Sequence, residues 1–284
     1  TGKLNINMLG EEDIEQSDTD AYSYSGGLSV ANQGVMEFVE MFKAPLKVLN
    51  PLLEATQSGH YNTTEGNASV PFSGLILAHS NQTEWDAFAS DRKNEAILDR
   101  INIIKVPYTL RMSQEAKIYK KMIKESALSE LPIAPQTIEL LSQFSAMSRI
   151  KHDSEGVLDK YQPDVVAKVK DGKIVEGAKS SVPQIKELQA AAPQDEGMDG
   201  ISTRFAFKVL SRTFNCRANE GYYEADPVLM METLQKSIEQ DGTISPGNKE
   251  KYEGFISNYL MPSYAEEITR EITMAYTGAN DNMC

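Results

Sequence analysis

The sequence predicts an α/β protein: a partial parallel sheet with intervening helices, followed by a predominantly α-helical region. Short apolar runs with strand character alternate with helical patterns over residues 1–110, which is typical of an α/β sheet. From residue 111 onward, apolar residues recur mostly at helical spacing. We therefore expect two domains, 1–110 and 111–284, with the boundary near Leu110.

Three strands and a hairpin are predicted in the first domain. The run 35-VMEFV-39 is too short for an independent helix, and 75-LILA-78 has the unbroken apolar character of a parallel strand buried on both faces. The run 101-INIIKVPY-108 is expected to form a third strand. Turn residues between short β-prone pieces in 59–72 indicate a hairpin or an ordered loop.

A helix is expected between the first strand and the hairpin. Pro45 suits its first turn and Gly59 suits its end, whereas Pro51 implies a kink or two short helices. The apolar residues that carry the helical spacing are Leu46, Leu49, Leu52 and Leu53.

The second domain is expected to be helical with one insertion. Ser113 is a candidate cap for its first helix. The segment 164–176 carries the turn pair Asp171-Gly172 between β-prone residues, which predicts a β-hairpin insertion.

Composition and charge exclude several classes of protein. The net charge of −13 argues against a nucleic-acid binder that relies on a basic surface. No apolar stretch approaches the ~20 residues of a membrane span, and we expect no signal peptide. Cys216 and Cys284 give no disulfide framework, so we expect a cytoplasmic location. The chain begins at Thr1 within a charged segment, and we expect it to be part of a longer protein.

Glu40 directly follows the first predicted strand. Nucleotide hydrolysis requires a carboxylate that polarises water and usually another that holds Mg²⁺. Glu40 suits the first role, but the preceding Val39 cannot bind a metal. The alternative is a surface acid at the end of a strand.

Asn81 comes two residues after the predicted strand that ends near His79. In open α/β sheets, ligands bind at the carboxyl ends of the strands, where an asparagine can hydrogen-bond a γ-phosphate or position a water. The alternative is an asparagine that caps a helix or forms a turn.

Two arginines are candidate anion ligands. Arg100 lies between a short helix and the third predicted strand, where it suits an arginine finger reaching a neighbouring subunit, or a surface charge cluster with Asp99. Arg204 lies in the first turn of a predicted helix, where the helix dipole disfavours a cation. It therefore either faces an anion or forms a local salt bridge.

The order of these features resembles the AAA+ nucleotide-hydrolase module. That order is an acid-tipped strand, a helix, a hairpin, an Asn-tipped strand, a short helix with an arginine, a further strand, and then a helical part with a second arginine. The hairpin before the Asn-tipped strand is similar to the branch that includes magnesium chelatases and replicative helicases.

Four longer stretches resemble the PrkA family of bacterial serine protein kinases. They are 29-SVANQGVMEFVEMFKAPLKVLNPLLEATQSGHYN-62, 72-FSGLILAHSNQTEW-85, 94-NEAILDRINIIKVPY-108 and 195-DEGMDGISTRFAFKVLSR-212. The resemblance implies a partial AAA+ P-loop-type sheet followed by a helical lid and a C-terminal region. It also implies ATP with Mg²⁺ as cofactors, a protein substrate, and a homo-oligomer assembled through the AAA+ module.

The resemblance assigns roles to the candidate residues. Glu40 and Arg100 would be catalytic, with Arg100 acting between subunits, whereas Asn81 and Arg204 would contact the nucleotide. The metal ligands stay open, with Glu37 the nearest candidate. The sequence lacks the phosphate loop G-x-x-x-x-G-K-[ST] and the protein-kinase signatures, so an AAA+ remodelling or protein-quality ATPase and a non-catalytic assembly module remain alternatives.

Overall fold

The computed structural model describes residues 5–8, 22–62, 69–151, 160–173, 182–216, 221 and 223–277. The chain divides into two compact units, residues 1–104 and 105–284. The division falls a few residues before the boundary that the sequence predicts near Leu110. Each unit is built around its own hydrophobic core. A small parallel sheet in the first unit and a mostly helical second unit confirm the predicted fold class.

The first unit alternates short strands with helices. Its strands are β1 (Asn5–Met8), β2 (Tyr22–Ser25), β3 (Val35–Val39), β4 (His60–Asn62), β5 (Ser69–Pro71) and β6 (Leu75–His79). Its helices are α1 (Gly27–Val30), α2 (Leu46–Ser58), α3 (Gln82–Ser90) and α4 (Glu95–Leu98), with 3₁₀ turns at Met41–Lys43 and Arg92–Asn94.

Three two-stranded sheets connect these strands. β3 and β6 run parallel with Val35 opposite Leu75 and Val39 opposite His79. β4 pairs with β5 in antiparallel register, which confirms the hairpin expected within 59–72, and β1 pairs with β2 in the same sense. Helix α2 continues through Pro51 and ends at Gly59, whose φ of 71° is the left-handed conformation that favours glycine at a helix end.

The parallel sheet is covered on one face only, among the residues that the structure describes. Met36, Phe38 and Ile76 pack against a core that includes Leu49, Leu52 and Phe88. The alternating positions are open, with Val39 68% exposed and Leu75 55% exposed. The prediction that 75–78 is buried on both faces is therefore wrong, since an apolar run shows its burial only when both faces have partners.

The prediction of a third strand over 101–108 is also wrong. Residues 101–110 have no regular secondary structure, and Ile104 and Val106 are 77% and 81% exposed. A strand requires a hydrogen-bonded neighbour, and in the described part of the chain no other strand pairs with this segment. Its apolar, β-branched composition favours a strand, but a strand forms only beside a neighbour to which it can hydrogen-bond.

The second unit is a helical assembly. Its helices are α5 (Met112–Lys124), α6 (Thr137–Arg149), α7 (Pro163–Lys170), α8 (Ile185–Ala191), α9 (Thr203–Asn215), α10 (Pro227–Gln240), α11 (Pro246–Phe255) and α12 (Met261–Thr277), with the π-helical turn Ile256–Leu260 joining the last two. Helix α6 is central, because every one of its residues except Glu139 is buried. None of the helices in the described residues has the length and apolar character to cross a membrane.

The hairpin predicted near 164–176 is a helix over its first arm. Pro163 at the first helical position and the Asp164–Lys168 pair at 3.1 Å favour helix α7. Val165 and Val166 are buried among neighbouring helices rather than paired in a sheet. Asp171 and Gly172 end this helix, and Gly172 supplies the left-handed φ of 80°. Residues 174–181, which would form most of the second arm, lie outside the described residues.

Candidate functional site

The carboxyl ends of β3 and β6 lie side by side. Val39 stands opposite His79, and the Glu40 N–H donates to the His79 carbonyl at 2.9 Å. The Glu40 backbone therefore lies next to His79, which Ser80 and Asn81 follow in the sequence. The two residues predicted from separate strands are placed at one edge of the sheet, where α/β proteins commonly bind ligands.

Glu40 has an unusual backbone conformation. Its φ of 55° and ψ of 47° are left-handed, a region that residues other than glycine seldom adopt. The conformation turns the chain from the strand into the 3₁₀ turn Met41–Lys43, whose first residue is buried in the core of the unit. Strained backbone of this kind concentrates at functional sites, so the conformation favours a role for Glu40 beyond that of an ordinary strand end.

Lys43 links the segment that follows β3 to helix α3, which follows β6, through its ammonium group. Its Nζ lies 2.7 Å from Glu40 Oε2 and 3.1 Å from Glu84 Oε1. The hydrogen bond to Glu40 and then that to Glu84 raise the pKa of Lys43. The Glu40 and Lys43 side chains are each more than half exposed, so solvent screens the pair and its contribution to stability is small.

Asn81 caps helix α3. Its Oδ1 accepts the Glu84 N–H at 2.8 Å, and its Nδ2 donates to Glu84 Oε1 at 2.9 Å. The Ser80 hydroxyl donates to Glu84 Oε2 at 2.8 Å, and this bond is the largest influence that lowers the pKa of Glu84, ahead of Lys43. The capping alternative for Asn81 is therefore realised, at the edge of the sheet where Glu40 follows the neighbouring strand.

Lys43 and Glu84 were missed by the sequence reasoning. Lys43 stands three residues after Glu40, a spacing that permits an ion pair across one helical turn. The Asn81-x-x-Glu84 spacing is that of a capping box. Both signals are local, but the contact between Lys43 and Glu84 spans the two strand ends and follows from the parallel pairing of β3 and β6.

Arg100 points toward helix α2. Its Nη1 donates to the Ala96 carbonyl, and its Nη2 donates to Gln57 Oε1 at 2.9 Å. Neither partner belongs to the strand edge. The guanidinium is exposed, so the fold ties it to the surface of its own unit by weak contacts and leaves it accessible.

Arg204 lies in the second unit, in the first turn of α9. Ser202 caps this helix by accepting the Phe205 N–H at 3.1 Å. The Arg204 side chain is exposed, and within the described residues no hydrogen bond or salt bridge engages it. The local salt bridge that the sequence left open is absent from this part of the chain, and the guanidinium is accessible to an external anion.

The described residues around the strand edge do not form a metal site from protein ligands alone. Among the described residues, no group of three or more His, Cys, Asp or Glu side chains is arranged to hold a metal ion. Glu37, the nearest candidate, lies on the open face with its Oε1 3.5 Å from His79 Nε2. The donors fit Mg²⁺ only where phosphate and water supply most of the ligands, which is a common arrangement for this ion.

These features define a class: an α/β module with polar residues at the carboxyl edge of its parallel strands, followed by a helical unit. Family models place the chain within that class. The PrkA AAA domain matches residues 1–156, and the PrkA serine protein kinase C-terminal domain matches residues 166–283. The chain belongs to the PrkA family.

Curated relatives agree with this assignment. The chain is 48% identical over 276 residues to the serine/threonine kinase YeaG of Escherichia coli (strain K12), covering 97% of this chain and 41% of that protein. It is 36% identical over 278 residues to the ATP-dependent protease PrkA of Bacillus subtilis (strain 168), covering 97% of this chain and 42% of that protein. The chain therefore spans less than half the length of these relatives.

Among solved structures, NtrX from Brucella abortus in complex with ADP matches 75% of this chain and 52% of its own chain. The TM-score is 0.33 and the sequence identity is 14%. NtrX in complex with ATP matches with the same TM-score and 15% identity. Likeness at this level supports no conclusion about fold or function.

Proposed function

We propose that the chain is part of an ATP-dependent serine protein kinase whose AAA+ module binds and hydrolyses the nucleotide. The observation that carries the proposal is the placement of Glu40 and Asn81 just after the carboxyl ends of two adjacent parallel strands. In a member of the PrkA family, this edge is the natural place for the γ-phosphate and the attacking water.

Glu40 is the proposed water-polarising carboxylate. In the structure its Oε2 is paired with Lys43 at 2.7 Å, so a bound phosphate has a cation that it can attract away from Glu40. The exchange costs little, because exposed ion pairs are weak. Lys43 would then hold the phosphate while Glu40 is released to accept a proton from water.

Asn81 is the proposed γ-phosphate sensor. Its Nδ2 donates to Glu84 Oε1, and that bond must be exchanged for one to phosphate, whereas the Oδ1 cap on the Glu84 N–H can persist. Glu84 retains Ser80 and Lys43 as partners. The cost of releasing the Asn81 amide is therefore small compared with leaving a buried polar group unpaired.

Arg100 and Arg204 are proposed as cationic contacts supplied from other surfaces. Arg100 is exposed and held by its own unit, which suits an arginine finger that acts on a neighbouring subunit of a homo-oligomer. Arg204 is accessible at the start of a lid helix and would contact phosphate of the nucleotide bound to its own subunit. The two arginines stabilise negative charge as it develops on the phosphate oxygens.

ATP with Mg²⁺ is the proposed cofactor, and ATP supplies the phosphoryl group. The described residues offer contacts for the terminal phosphate through Lys43 and Asn81. No residue of this chain forms the phosphate loop that cradles the rest of the triphosphate. No metal ligand is assigned, since Val39 has no donor atom and the Glu37 carboxylate lies on the open face of the sheet beside His79.

A serine-bearing protein is the proposed substrate, and the cytoplasm is the proposed location. The relative named serine/threonine kinase YeaG supports phosphotransfer. A second candidate is an AAA+ remodelling or protein-quality ATPase without kinase activity, favoured by the relative named ATP-dependent protease PrkA. A non-catalytic assembly module is the third.

The three candidates differ in what happens to the γ-phosphate. In a protein of the relatives' full length that carries this chain, γ-labelled ATP should transfer label to serine in an added protein, and Glu40→Gln should abolish the transfer. Label released only as inorganic phosphate, with hydrolysis stimulated by a protein partner, would support the remodelling ATPase. Neither transfer nor hydrolysis would support the assembly module.

A further inference from the structure

A buried polar cluster lies immediately before Arg204. It is formed by Glu115 of α5, Arg149 at the end of α6 and Thr203 at the start of α9, and we call it the Arg149 cluster. Arg149 Nη2 donates to Glu115 Oε1 at 2.6 Å, and the Thr203 hydroxyl donates to the same oxygen at 3.1 Å. The Arg149 and Glu115 side chains are 0% and 1% exposed.

Arg149 also binds the backbone on both sides of the cluster. Its Nε donates to the Ile201 carbonyl at 2.9 Å, and its Nη1 donates to the Thr109 carbonyl at 3.0 Å. The Tyr108 ring covers the guanidinium at 4.8 Å from its centroid. The planar guanidinium thus holds three acceptors in fixed positions: the Ile201 carbonyl, the Thr109 carbonyl and Glu115 Oε1. A lysine ammonium cannot reproduce this geometry.

The segment that leads into α9 is held along its length. The Ser148 hydroxyl accepts the Ile201 N–H at 3.0 Å, so both backbone groups of Ile201 are bound by the end of α6. Gly200 adopts a φ of 106°, and a β-carbon there would lie 2.7 Å from the Ser148 carbonyl oxygen. Lys151 pairs with Asp195 and Asp199 at the beginning of the same segment.

Stability alone does not explain this arrangement. Burying a carboxylate and a guanidinium has a large desolvation cost, and a well-packed apolar replacement is often at least as stable. Glu115 Oε2 is buried and has no hydrogen-bond partner among the described residues. The contacts converge instead on the residues just before Arg204, whose side chain is exposed and has no hydrogen-bond or ion-pair partner in the described part of the chain.

We infer that the Arg149 cluster positions Arg204, by fixing the first turn of α9 against the ends of α5 and α6. The inference rests on the proposed contact of Arg204 with nucleotide phosphate. Arg149 is a positioning residue and does not touch the nucleotide itself. Since a shift of about 1 Å in a charged group can remove much of its benefit to a reaction, loosening this turn weakens the contribution of Arg204.

A double-mutant cycle tests the inference in a protein of the relatives' full length. Arg149→Lys, Thr203→Val and Arg204→Ala are compared singly and in pairs, by the dissociation constant of a non-hydrolysable ATP analogue and by kcat and KM for ATP. We expect Thr203→Val to weaken analogue binding about threefold and Arg149→Lys about tenfold. In the Arg204→Ala background, neither change should weaken it further.

Thr213→Val is the matched control, because Thr213 is a buried threonine of the same helix whose hydroxyl donates to the Val209 carbonyl at 2.9 Å. It should leave analogue binding unchanged, and thermal melting of every variant checks folding. If Arg149→Lys does not fold, Thr203→Val decides the question. Effects that add fully to that of Arg204→Ala, or no effect of Thr203→Val, overturn the positioning role while Arg204 retains its proposed function. No effect of Arg204→Ala overturns that proposed function and the positioning role with it.

Discussion

At the scale of single residues, the environment decides which charged groups can respond to a ligand. Glu40 and Lys43 form an exposed pair that a phosphate can separate at little cost. Glu115 and Arg149 form a buried pair in which loss of either partner strands a charge away from water. The first pair therefore suits a reactive edge, and the second suits a fixed support.

Glu40→Gln should convert the full-length protein into a form that holds ATP without hydrolysing it. Glutamine keeps the size of the side chain but cannot accept a proton from water, so turnover should fall about a hundredfold or more. Steady-state phosphate release and retention of labelled ATP on gel filtration measure the two effects. Glu95→Gln, a change of an exposed glutamate in α4, is the control, and unchanged turnover in Glu40→Gln would sink the assignment.

Because of Glu115, the free energy of unfolding of the second unit should fall at acidic pH. Burial favours the neutral form, but the hydrogen bond and charge of Arg149, together with the Thr203 hydrogen bond, outweigh it and hold the pKa of Glu115 below 4.5. A lowered folded-state pKa contributes stability above the unfolded value, and this contribution is lost as pH falls through the folded pKa. Stability should therefore decline in that acidic range.

Urea unfolding of the whole chain at pH 7 and at steps down to about pH 3 tests this dependence. Glu115→Gln should lower stability by about 3 kcal/mol at pH 7, and its difference from the unmodified chain should narrow below pH 4.5, the ordinary value of the group. Glu139→Gln changes an exposed partner of Lys120 and should have little effect at either pH. A constant gap between Glu115→Gln and the unmodified chain would contradict the linkage.

At the scale of secondary-structure elements, chain turns place the functional side chains. The left-handed Glu40 directs the chain away from β3, Asn81 starts α3, and Gly200 lets the chain approach the end of α6 before α9 begins. Each turn lies at an element boundary, where a small change of backbone angle moves everything that follows.

Gly200→Ala should destabilise the second unit. The φ of 106° disfavours any side chain, and the new β-carbon would lie 2.7 Å from a backbone oxygen that cannot easily move. We expect a loss of about 2 kcal/mol or more in urea unfolding. Gly242→Ala, where no atom lies within 4 Å and φ is not positive, should change stability by less than about 0.5 kcal/mol. Equal effects of the two substitutions would contradict the close-approach argument.

At the scale of the whole molecule, the proposed activity depends on a phosphate loop that this sequence does not contain and on contacts with a neighbouring subunit. The chain covers 41% of one relative and 42% of another, and its sequence lacks the phosphate loop. Arg100 of a neighbouring subunit is also proposed to act at the nucleotide.

The chain by itself should bind ATP weakly. Lys43 and Asn81 provide contacts for one phosphate only, whereas tight binding requires the backbone cradle of a phosphate loop. Titration calorimetry with ATP and Mg²⁺ should show no binding in the micromolar range. Micromolar affinity would mean that residues of this chain replace the loop.

Arg100→Ala should abolish ATP hydrolysis in the assembled full-length protein, because Arg100 is proposed to act on the nucleotide of a neighbouring subunit. When Arg100→Ala subunits are mixed with Glu40→Gln subunits, some interfaces combine an intact Glu40 with an intact Arg100, so part of the activity should return. Arg92→Ala, which changes another exposed arginine of the same unit, should retain activity without mixing. No recovery across all mixing ratios would show that Arg100 does not act in trans.

The sequence by itself determined the fold class, the strands at 35–39 and 75–78, the hairpin before the second of them, and the family, because local apolar patterns and long motifs carry that information. It misjudged 101–108, where strand-like composition lacked a pairing partner, and the first arm of the predicted 164–176 hairpin, where Pro163 began a helix. The open face of the sheet also depended on neighbours that no local pattern reveals.

Only the tertiary structure decided which polar residues meet. Glu40, Lys43 and Glu84 come together because β3 and β6 pair in parallel. Glu115, Arg149 and Thr203 come together because three helix ends converge. Such contacts join residues up to 88 positions apart, and a local pattern fixes the shape of an element but not the neighbour against which that element packs.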